Sequence, residues 1–368
     1  MTPPDVAVVG LGPAGRCLAH RLAAHGASVL ALDPHPDRPW RPTYGGWARE
    51  PPSWLPDSII GASSPRTELV ARTRHLLPGT YVVLDNAATR AALDLADVDV
   101  QDRAVSDAEL ATLAPIVVDC RGNTRALASP RTPVQQAHGL MLDHADATGL
   151  LDGATAVLMD WRPFDGSPDW GSLMPSFCYI VPLPDGRVLA EETCLAGRPP
   201  IPDVELTRRL HRRLTRHGIA PSTVAGAEVE RVHIAMLPPA RRRGAAPVHR
   251  FGAAGRQINA ITGYSVFASL AAADGVALSL LAGTGVRSGR IADGVRRAAL
   301  DALLQLDGRG TVELFDAFGH LGVDAQRAVL DPTVPAGALL GALGRQWTLM
   351  SPQGRIALVL ATVKGLLR

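Results

Sequence analysis

A glycine-rich loop near the N-terminus lies between an apolar run and a helical stretch. The run Val6-Ala7-Val8-Val9 is typical of a buried parallel strand, and it leads directly into Gly10-Leu11-Gly12-Pro13-Ala14-Gly15. A helical pattern follows as far as Ala24, and Ser28 to Leu32 has the pattern of a second strand, which Asp33 ends. A strand, a glycine loop, a helix and a second strand that ends in an acid are, in this order, the signature of a dinucleotide-binding unit. The sequence therefore predicts a Rossmann-like α/β fold at this end of the chain.

The loop and the acid together predict a nucleotide site. Glycines allow the backbone to approach a pyrophosphate at the N-terminus of a helix, where free N–H groups bind anions. An acid about twenty residues further on accepts a hydrogen bond from a ribose hydroxyl. An ordinary tight turn between a strand and a helix is the alternative. The residues expected to bind the cofactor here are Gly10, Gly12, Pro13, Ala14, Gly15 and Asp33.

Another apolar strand also ends in an acid and a glycine. Residues Pro115 to Val118 predict this strand, Asp119 follows it, and Gly122 comes three positions later. This is a second place where an acid and a flexible backbone could meet a nucleotide. We therefore expect Asp119 and Gly122 to belong to the cofactor site.

Two adjacent glutamates lie inside a further strand-like run. The run from Val188 to Leu195 is otherwise largely apolar but contains Glu191 and Glu192, and burying carboxylates is costly. Because neighbouring strand residues point to opposite faces, one glutamate can enter an interior site while the other is hydrogen-bonded behind it. A carboxyl group among Leu, Ala and Val is expected to have a raised pKa and to serve as a proton donor near neutral pH. The alternative is an edge strand with solvated acids.

Composition and net charge limit the size, the partners and the cellular location that this sequence fits. The 368 residues correspond to roughly two domains, and a hydrophobic content of 46% supplies a large core. A net charge of +2 argues against nucleic acid as the main partner. The chain has no run of about eighteen uncharged apolar residues and no secretory leader before its first strand, so the cytoplasm is the expected location. The four cysteines lack the spacing of metal ligands, so no metal is predicted.

Arginines cluster on one predicted helix. Leu206, Leu210 and Leu214 recur at every fourth position, which predicts an amphipathic helix. Such a basic helix could rest on the anionic inner surface of a membrane in peripheral contact, or it could bind a substrate diphosphate. A solvated helix face packed by its leucines is the alternative. The arginines in question are Arg208, Arg209, Arg212, Arg213 and Arg216.

The remaining pattern predicts three regions. Strands and helices alternate over residues 1–133 and again over 248–290, which predicts a discontinuous nucleotide-binding domain. Residues 134–247 show strand segments with Pro and Gly turns, which predict an antiparallel-sheet substrate domain inserted into the first. Residues 291–368 have a helical pattern and are expected to cap the pocket.

Six segments, in order along the chain, resemble the FAD-dependent lycopene cyclase family, whose members form rings at the ends of linear carotenoids. The resemblance covers most of the chain. The segments are the GxGPAG loop from Gly10; Tyr44-Gly45-Gly46-Trp47, similar to the family's YGVW; Met159-Asp160-Trp161-Arg162; Pro175-Ser176-Phe177-Cys178-Tyr179; Leu189-Ala190-Glu191-Glu192-Thr193, similar to its FLEET strand; and Gly252-Ala253-Ala254-Gly255 followed by Thr262-Gly263-Tyr264-Ser265.

The resemblance implies an FAD-binding fold of the group A flavin monooxygenase type, with an antiparallel-sheet substrate domain and a C-terminal helical cap. It places an essential acid on Glu191 or Glu192, the former preferred. It also implies a flavin that must be reduced, with NAD(P)H as the reductant, although the net reaction is an isomerisation. Further cofactor contacts are expected at Trp47, Gly252, Gly255, Thr262, Gly263 and Tyr264, and substrate contacts at Trp161, Arg162, Phe177 and Tyr179.

The expected reaction is the cyclisation of an apolar linear isoprenoid. Glu191 would protonate a terminal alkene, and the neighbouring double bond would close the ring beside reduced FAD. Glu192, Asp160 or a flavin nitrogen would take the final proton. Lycopene is one candidate substrate, and an aromatic content of only 4% leaves a shorter linear terpenoid as the other. A flavin monooxygenase or a prenyl reductase is the alternative function, although such enzymes commonly carry Gly-Asp where this chain has Gly252-Ala253.

Overall fold

The computed structural model describes residues 3–239, 248–255, 257–284 and 290–366. Over these ranges the strands are β1 (Val6–Val9), β2 (Val29–Asp33), β3 (Gly45–Trp47), β4 (Ile60–Ser64), β5 (Thr67–Val70), β6 (Arg74–Leu77), β7 (Tyr81–Leu84), β8 (Val98–Asp102), β9 (Ile116–Asp119), β10 (Val134–Leu142), β11 (Ala156–Asp160), β12 (Phe177–Pro182), β13 (Val188–Gly197), β14 (Glu228–Ala235) and β15 (His249–Arg250). The α-helices are α1 (Pro13–Ala24), α2 (Asn86–Ala92), α3 (His144–Leu151), α4 (Asp203–Arg216), α5 (Pro221–Gly226), α6 (Val266–Leu281), α7 (Arg290–Leu303), α8 (Gly308–Gly319), α9 (Val323–Leu330), α10 (Ala336–Leu349) and α11 (Pro352–Leu366).

A five-stranded parallel sheet carries the glycine loop. Its strand order is β15-β9-β1-β2-β8, and β1 lies between β2 and β9. All four residues of β1 are buried, as expected for a central parallel strand covered on both faces. Helices α1 and α6 pack against this sheet through apolar residues that include Leu18, Leu22 and Leu270. The predicted strand, loop, helix and second strand are therefore present in the predicted order.

A seven-stranded sheet supplies the second layer, with the order β14-β10-β13-β12-β11-β5-β6. Its neighbours are antiparallel except for β11 and β5, which run parallel. Strands β5 and β6 come from residues 67–77, outside the segment 134–247 that the sequence analysis assigned to this sheet. One face of the sheet packs on α3 and α4 through Ile180, Leu210 and Leu214. The opposite face is turned towards α8 and α9.

A three-stranded antiparallel sheet, with the order β3-β7-β4, contributes a third set of strands. Residues of β7 alternate between two cores, because Val82 and Leu84 pack with the parallel sheet while Tyr81 and Val83 pack with the seven-stranded sheet. This small sheet therefore connects the two larger layers.

The C-terminal helices pack on the face of the seven-stranded sheet that is turned away from α4. In α8, Phe315 stacks on Trp161 with ring centroids 4.7 Å apart. Asp316 of the same helix accepts hydrogen bonds from the backbone N and Oγ1 of Thr73, each at 2.9 Å, and lies 2.9 Å from Nε2 of His75. These contacts fasten α8 to the sheet beside β6. Among the helices of the described ranges, none is both long enough and apolar enough to cross a bilayer.

Candidate active site

The glycine loop after β1 has the geometry that requires glycine at two positions. Gly10 has a φ of +98°, and a Cβ atom there would lie 2.7 Å from the backbone of Cys120. A Cβ at Gly15 would lie 1.8 Å from the carbonyl oxygen of Gly10, so α1 approaches the loop closely only because this residue has no side chain. Gly12 differs from both, because no atom lies within 4 Å of where its Cβ would be. The space beside Gly12, at the N-terminus of α1, is therefore open to a ligand.

Asp33 holds the loop in place from the end of β2. Its Oδ2 accepts a hydrogen bond from the backbone N of Leu11 at 2.7 Å, and its Oδ1 accepts one from the backbone N of His35 at 2.8 Å. A carboxylate oxygen has two lone pairs, so each oxygen can accept a second bond. Asp33 can thus support the loop and accept from a ribose hydroxyl at the same time.

The other glycines predicted to bind the cofactor also lie where a side chain would not fit or would be disfavoured. Gly122 and Gly252 have positive φ angles of 73° and 68°. A Cβ at Gly252 would lie 2.5 Å from the Cβ of Ala14, and one at Gly255 would lie 2.7 Å from the carbonyl oxygen of Arg250. Ala14 and the segment around Gly252 are therefore packed together at the start of α1.

Asp119 has partners other than a nucleotide. Nε of Arg121 donates to its Oδ1 at 2.8 Å, and Nη2 of Arg121 donates to its Oδ2 at 2.9 Å. Burial alone would raise the pKa of Asp119, but the hydrogen bonds and charge of Arg121 hold it below its ordinary value. Direct contact of this carboxylate with a cofactor stays a prediction, and in the structure its two oxygens bind arginine.

A cavity of about 360 Å³ lies over the face of the seven-stranded sheet that is turned away from α4. Its floor consists of alternate residues of β10, β12, β13 and β14, because residues two apart on a strand share a face. Its walls include Gly45 and Trp47 of β3, the segment Thr262–Ser265 before α6, and Phe318 of α8. The cavity therefore lies between the three-stranded sheet, the N-terminal part of α6, the seven-stranded sheet and the C-terminal helices.

Tyrosines are concentrated in this cavity. The Tyr81 hydroxyl lies 3.1 Å from that of Tyr179 and 3.0 Å from that of Tyr264. A Cβ at Gly45 would lie 2.4 Å from the Tyr81 hydroxyl, so the glycine makes room for this cluster. The lining includes all four tyrosines of the chain and eight of its sixteen aromatic residues: Tyr44, Trp47, Tyr81, Phe177, Tyr179, Tyr264, Phe267 and Phe318. The cavity is therefore rich in aromatic residues, although the chain as a whole contains few.

Trp47, predicted to contact the cofactor, is buried at the cavity wall. Its ring meets that of Tyr81 edge to face, with centroids 5.5 Å apart. Its backbone N donates to Oε2 of Glu50 at 2.9 Å. The buried Nε1 of Trp47 has no hydrogen-bond partner in the described structure, which is uncommon for a buried donor.

Glu191 extends from β13 into the cavity. The residue is 8% exposed, and Oγ1 of Thr193, on the same face of the strand, donates to its Oε1 at 3.0 Å. Burial, with a smaller contribution from the charge of Glu230, raises the pKa of Glu191 to about 8. Within the described ranges no arginine, lysine or histidine forms an ion pair with it. At neutral pH this carboxyl group is therefore mostly protonated.

Glu192 points to the opposite face of β13. Its Oε2 accepts a hydrogen bond from Nε of Arg213 at 2.8 Å, and its Oε1 accepts one from Oγ of Ser176 at 2.5 Å. The side chain is completely buried beneath α4 and does not reach the cavity. The structure thus separates the two adjacent glutamates by the thickness of the sheet.

Asp160 also lies on the α4 side. Nη2 of Arg162 donates to its Oδ2 at 2.6 Å, and Nη1 of Arg213 lies 3.8 Å from the same oxygen. Burial alone would raise the pKa of Asp160, but the hydrogen bond from Arg162 and the charge of Arg213 hold it below its ordinary value. The strand irregularity between Val157 and Met159 is the reason for this placement, because an extra residue reverses which side chains face the cavity.

Only some of the residues predicted to contact the substrate line the cavity. Phe177 and Tyr179 line the cavity. Trp161 is buried between Phe315 and Phe177, with its ring 4.8 Å from that of Phe177, so it supports the cavity from outside. Arg162 lies outside the cavity, half-exposed and paired with Asp160.

The predicted basic helix is α4, and its leucines are buried as expected. Two of its arginines are buried too, since Arg209 binds Ser176 at 3.0 Å and Arg213 binds Glu192. Arg208, Arg212 and Arg216 are exposed. The helix is therefore attached to the sheet by ion pairs as well as by leucine packing.

Three cavity acids, Glu50, Glu230 and Asp331, were missed by the sequence analysis. Glu230 accepts from the backbone N of Thr43 at 2.8 Å and from its Oγ1 at 2.7 Å. Glu50 lies beside Trp47 at the wall. A signal for Glu230 was present, because it alternates with Val232 and Ile234 and so belongs to an apolar strand face. No comparable pattern surrounds Glu50.

Comparison with known proteins agrees with these features. The sequence profile of the family described as "Lycopene cyclase protein" matches residues 5–53 and 65–332. A protein of Deinococcus radiodurans named "Uncharacterized carotenoid cyclase" is 29% identical over 97% of this chain and 92% of its own length. The chloroplastic lycopene beta cyclase of an Oncidium hybrid cultivar is 29% identical over 85% of this chain and 75% of its own length.

The fold has solved counterparts. A geranylgeranyl bacteriochlorophyll reductase-like protein from Thermoplasma acidophilum superposes with a TM-score of 0.58 at 14% identity, covering 95% of this chain and 97% of its own. At this identity the likeness concerns the fold alone, which is also that of solved flavoproteins. The predicted fold class, a Rossmann-like flavoprotein fold with an antiparallel sheet and a helical cap, is confirmed. By its sequence match over most of its length, the chain belongs to the lycopene cyclase family.

Proposed function

We propose that the protein closes a ring at the end of a linear isoprenoid of the carotenoid type by protonating a terminal alkene from Glu191. The observation that carries this proposal is a buried carboxyl group, without a cationic partner among the described residues, that projects into a cavity rich in aromatic rings. Relatives named as carotenoid cyclase and lycopene beta cyclase support the same class of reaction. The substrate gains and loses no electrons, so substrate and product are isomers.

Glu191 has the properties of a general acid. Desolvation raises its proton affinity, which keeps the proton on the group until the substrate arrives. Because the Thr193 hydroxyl donates to Oε1, the proton of the neutral carboxyl is expected on Oε2. Transfer of this proton breaks the O–H bond and forms a C–H bond at the end of the alkene. The neighbouring double bond then attacks the resulting tertiary cation and closes the ring.

The aromatic lining suits a positive intermediate. The faces of tyrosine and phenylalanine rings carry negative charge density and attract cations. Burial raises the pKa of Tyr264 to about 12 and that of Tyr81 well above its ordinary value, so these hydroxyls stay neutral. Neutral phenols do not combine with the cation as a phenolate would. The tyrosine cluster is therefore expected to stabilise the ring-closing intermediate.

The cavity has room for one end group of a linear isoprenoid. A volume of about 360 Å³ is near the lower limit for small-molecule sites, which hold roughly 300–1,000 Å³. One end group fits such a space, and the remainder of a long polyene would extend beyond it. Lycopene and shorter linear isoprenoids are both consistent with this geometry.

We also propose FAD as the resident cofactor, with NAD(P)H as its reductant. The open space beside Gly12, at the N-terminus of α1, fits such a ligand. The loop Gly10–Gly15, Asp33 and the segment Thr262–Tyr264 would hold it. When bound and reduced, FAD supplies negative charge close to the site of the cation.

Product analysis tests this function. One bacterial host that makes lycopene and one that makes shorter linear polyprenoids are each compared with and without the protein, by chromatography and mass spectrometry. We expect a new product with the mass of its substrate and a cyclic end group in at least one host. A product heavier by one oxygen atom would indicate a monooxygenase, and one heavier by two hydrogens would indicate a prenyl reductase. Either of these results would contradict the proposal.

A further inference from the structure

A second buried carboxyl group, that of Glu230, faces the same cavity as Glu191. Gly139 of β10 pairs with Glu191 of β13 on one side and with Glu230 of β14 on the other. Side chains at paired positions of neighbouring strands point to the same face of a sheet. The two glutamates therefore flank Gly139 on the cavity side, and both line the cavity.

Gly139 keeps the space between Glu191 and Glu230 free of side-chain atoms. A Cβ atom at position 139 would lie 2.8 Å from Cδ1 of Leu189 and 3.3 Å from Cβ and Cγ of Glu191. Neighbouring strands lie about 4.8 Å apart, so the backbones of the two glutamates are roughly 10 Å apart. Their carboxyl groups thus extend into the cavity from two sides of one gap.

The partners of Glu230 favour its ionised form. The backbone N of Thr43 donates to Oε1 at 2.8 Å and the Thr43 hydroxyl donates to Oε2 at 2.7 Å. Both donors are neutral, and no arginine, lysine or histidine of the described residues is within ion-pair distance of Glu230. Burial raises the pKa of Glu230, which makes its carboxylate a stronger base than an exposed one.

The other acids of this region are less suited to accept a proton from the substrate. Glu192 and Asp160 lie behind the sheet and are bound by Arg213 and Arg162. Glu50 and Asp331 line the cavity wall, but they come from the turn after Trp47 and the C-terminal end of α9, and not from the sheet floor that carries Glu191. Glu230 is thus the acid of the cavity floor that stands opposite Glu191.

We propose that Glu230 is the base that takes the final proton of the ring closure and afterwards returns it to Glu191. This inference rests on the proposed cyclase function. After ring closure, a C–H bond next to the cationic carbon breaks, its electron pair forms the ring double bond, and its proton binds the Glu230 carboxylate. The proton gained from Glu191 and the proton lost to Glu230 balance, and no oxidant or reductant is consumed.

The arrangement also explains how Glu191 regains its proton after each turnover. At the end of one turnover Glu191 is ionised and Glu230 is protonated. The two carboxyl groups face one cavity across Gly139, so a water molecule that enters as the product leaves can accept from Glu230 and donate to Glu191. The sheet register places both groups at the same cavity, and in this proposal water that enters there carries the proton back.

The test compares the products of three purified, flavin-loaded variants with those of the wild type. Glu230→Gln keeps the shape but cannot accept a proton, Glu230→Asp keeps a carboxylate, and Glu228→Gln is the matched control on the exposed part of the same strand. Glu230→Gln should still consume substrate, since Glu191 is intact. It should form the ordinary ring product at least about a hundredfold more slowly, the usual scale for a general base.

The cation left without its base should then be captured by water or lose a proton elsewhere. We expect Glu230→Gln to give a product with the mass of substrate plus water, or an isomer with a displaced double bond. Glu230→Asp should give a product ratio between those of Glu230→Gln and the wild type. Glu228→Gln should match the wild type.

Three results would overturn the inference. The first is the ordinary product at wild-type rate from Glu230→Gln. The second is unchanged substrate from both variants at position 230 with normal flavin content. If Glu230→Gln does not fold, an unchanged rate and product ratio in Glu230→Asp is the third. Failure of the proposed function looks different, because then the wild type itself forms no ring.

Discussion

Arg213 donates from Nε to Oε2 of Glu192 at 2.8 Å, on the face of β13 opposite to Glu191. The Glu192 side chain has no exposed surface and that of Arg213 is 4% exposed. Nη1 of Arg213 also lies 3.8 Å from Oδ2 of Asp160. Two adjacent residues of one strand therefore have different surroundings: Glu192 fastens α4 to the sheet, and Glu191 faces the cavity.

Glu192→Gln should reduce stability far more than turnover. The substitution leaves the buried Arg213 without its closest counter-charge, and breaking a buried pair typically costs about 3–5 kcal/mol. Urea unfolding, with the exposed Glu228→Gln as a control, measures this loss. Turnover per flavin-loaded molecule should stay much closer to wild type than in Glu191→Gln. A hundredfold loss of turnover at unchanged stability would instead assign the acid to Glu192.

Glu191→Gln should abolish most of the activity without loss of cofactor. The amide keeps the volume of the side chain and can still accept from Thr193, but it cannot protonate an alkene. We expect turnover to fall at least about a hundredfold, as is usual when a general acid is removed. Flavin absorbance and initial rates are measured on the same preparation. Near-normal rates would place the acid elsewhere.

The raised pKa of Glu191 should be visible in stability against pH. Between the ordinary pKa of 4.5 and the folded value of about 8, the folded protein binds this proton and the unfolded chain does not. Stability should therefore fall as pH rises through this window, with a slope of up to about 1.4 kcal/mol per pH unit from this group. Glu191→Gln should remove that part of the slope, whereas Glu228→Gln should keep it. Parallel pH curves for wild type and Glu191→Gln would refute the raised pKa.

Gly12→Val should prevent cofactor binding while leaving the fold intact. A side chain there occupies only open space in the structure, which is where a pyrophosphate would bind. Gly322 is a matched control, because it too caps a helix N-terminus, has a similar φ of −66° and has open space around it. Flavin absorbance per folded protein is the measurement. Full flavin content in Gly12→Val, or equal loss in Gly322→Val, would count against the proposed cofactor site.

Short-range sequence patterns predicted the strands and the helix that surround the glycine loop. The strand Val6–Val9 has the predicted bounds, and α1 ends at Ala24, where the predicted helical pattern ends. Strand β9, predicted over residues 115–118, runs from Ile116 to Asp119. Loop, strand and helix periodicities are short-range properties, which is why a single sequence reveals them.

Contacts between segments far apart in the chain could not be predicted from local sequence patterns. The parallel pairing of β5 with β11 joins residues 67–70 to 156–160, and nothing in either segment specifies the other. The alternation of Glu191 and Glu192 predicted opposite faces, but only the packing of α4 decides which face is closed. Asp160 depends on the irregularity in β11, which moves it out of the cavity although the surrounding segment resembles a site motif.

An anaerobic assay with a single reduction tests the central claim most directly, namely that the substrate is cyclised by a proton and not by electrons. Wild-type protein is reduced once with dithionite or NADPH in the absence of oxygen and supplied with excess linear substrate. The account predicts many product molecules per reductant, each with the mass of its substrate and a ring at its end. One reductant consumed per product, or a product heavier by one oxygen or by two hydrogens, would contradict it.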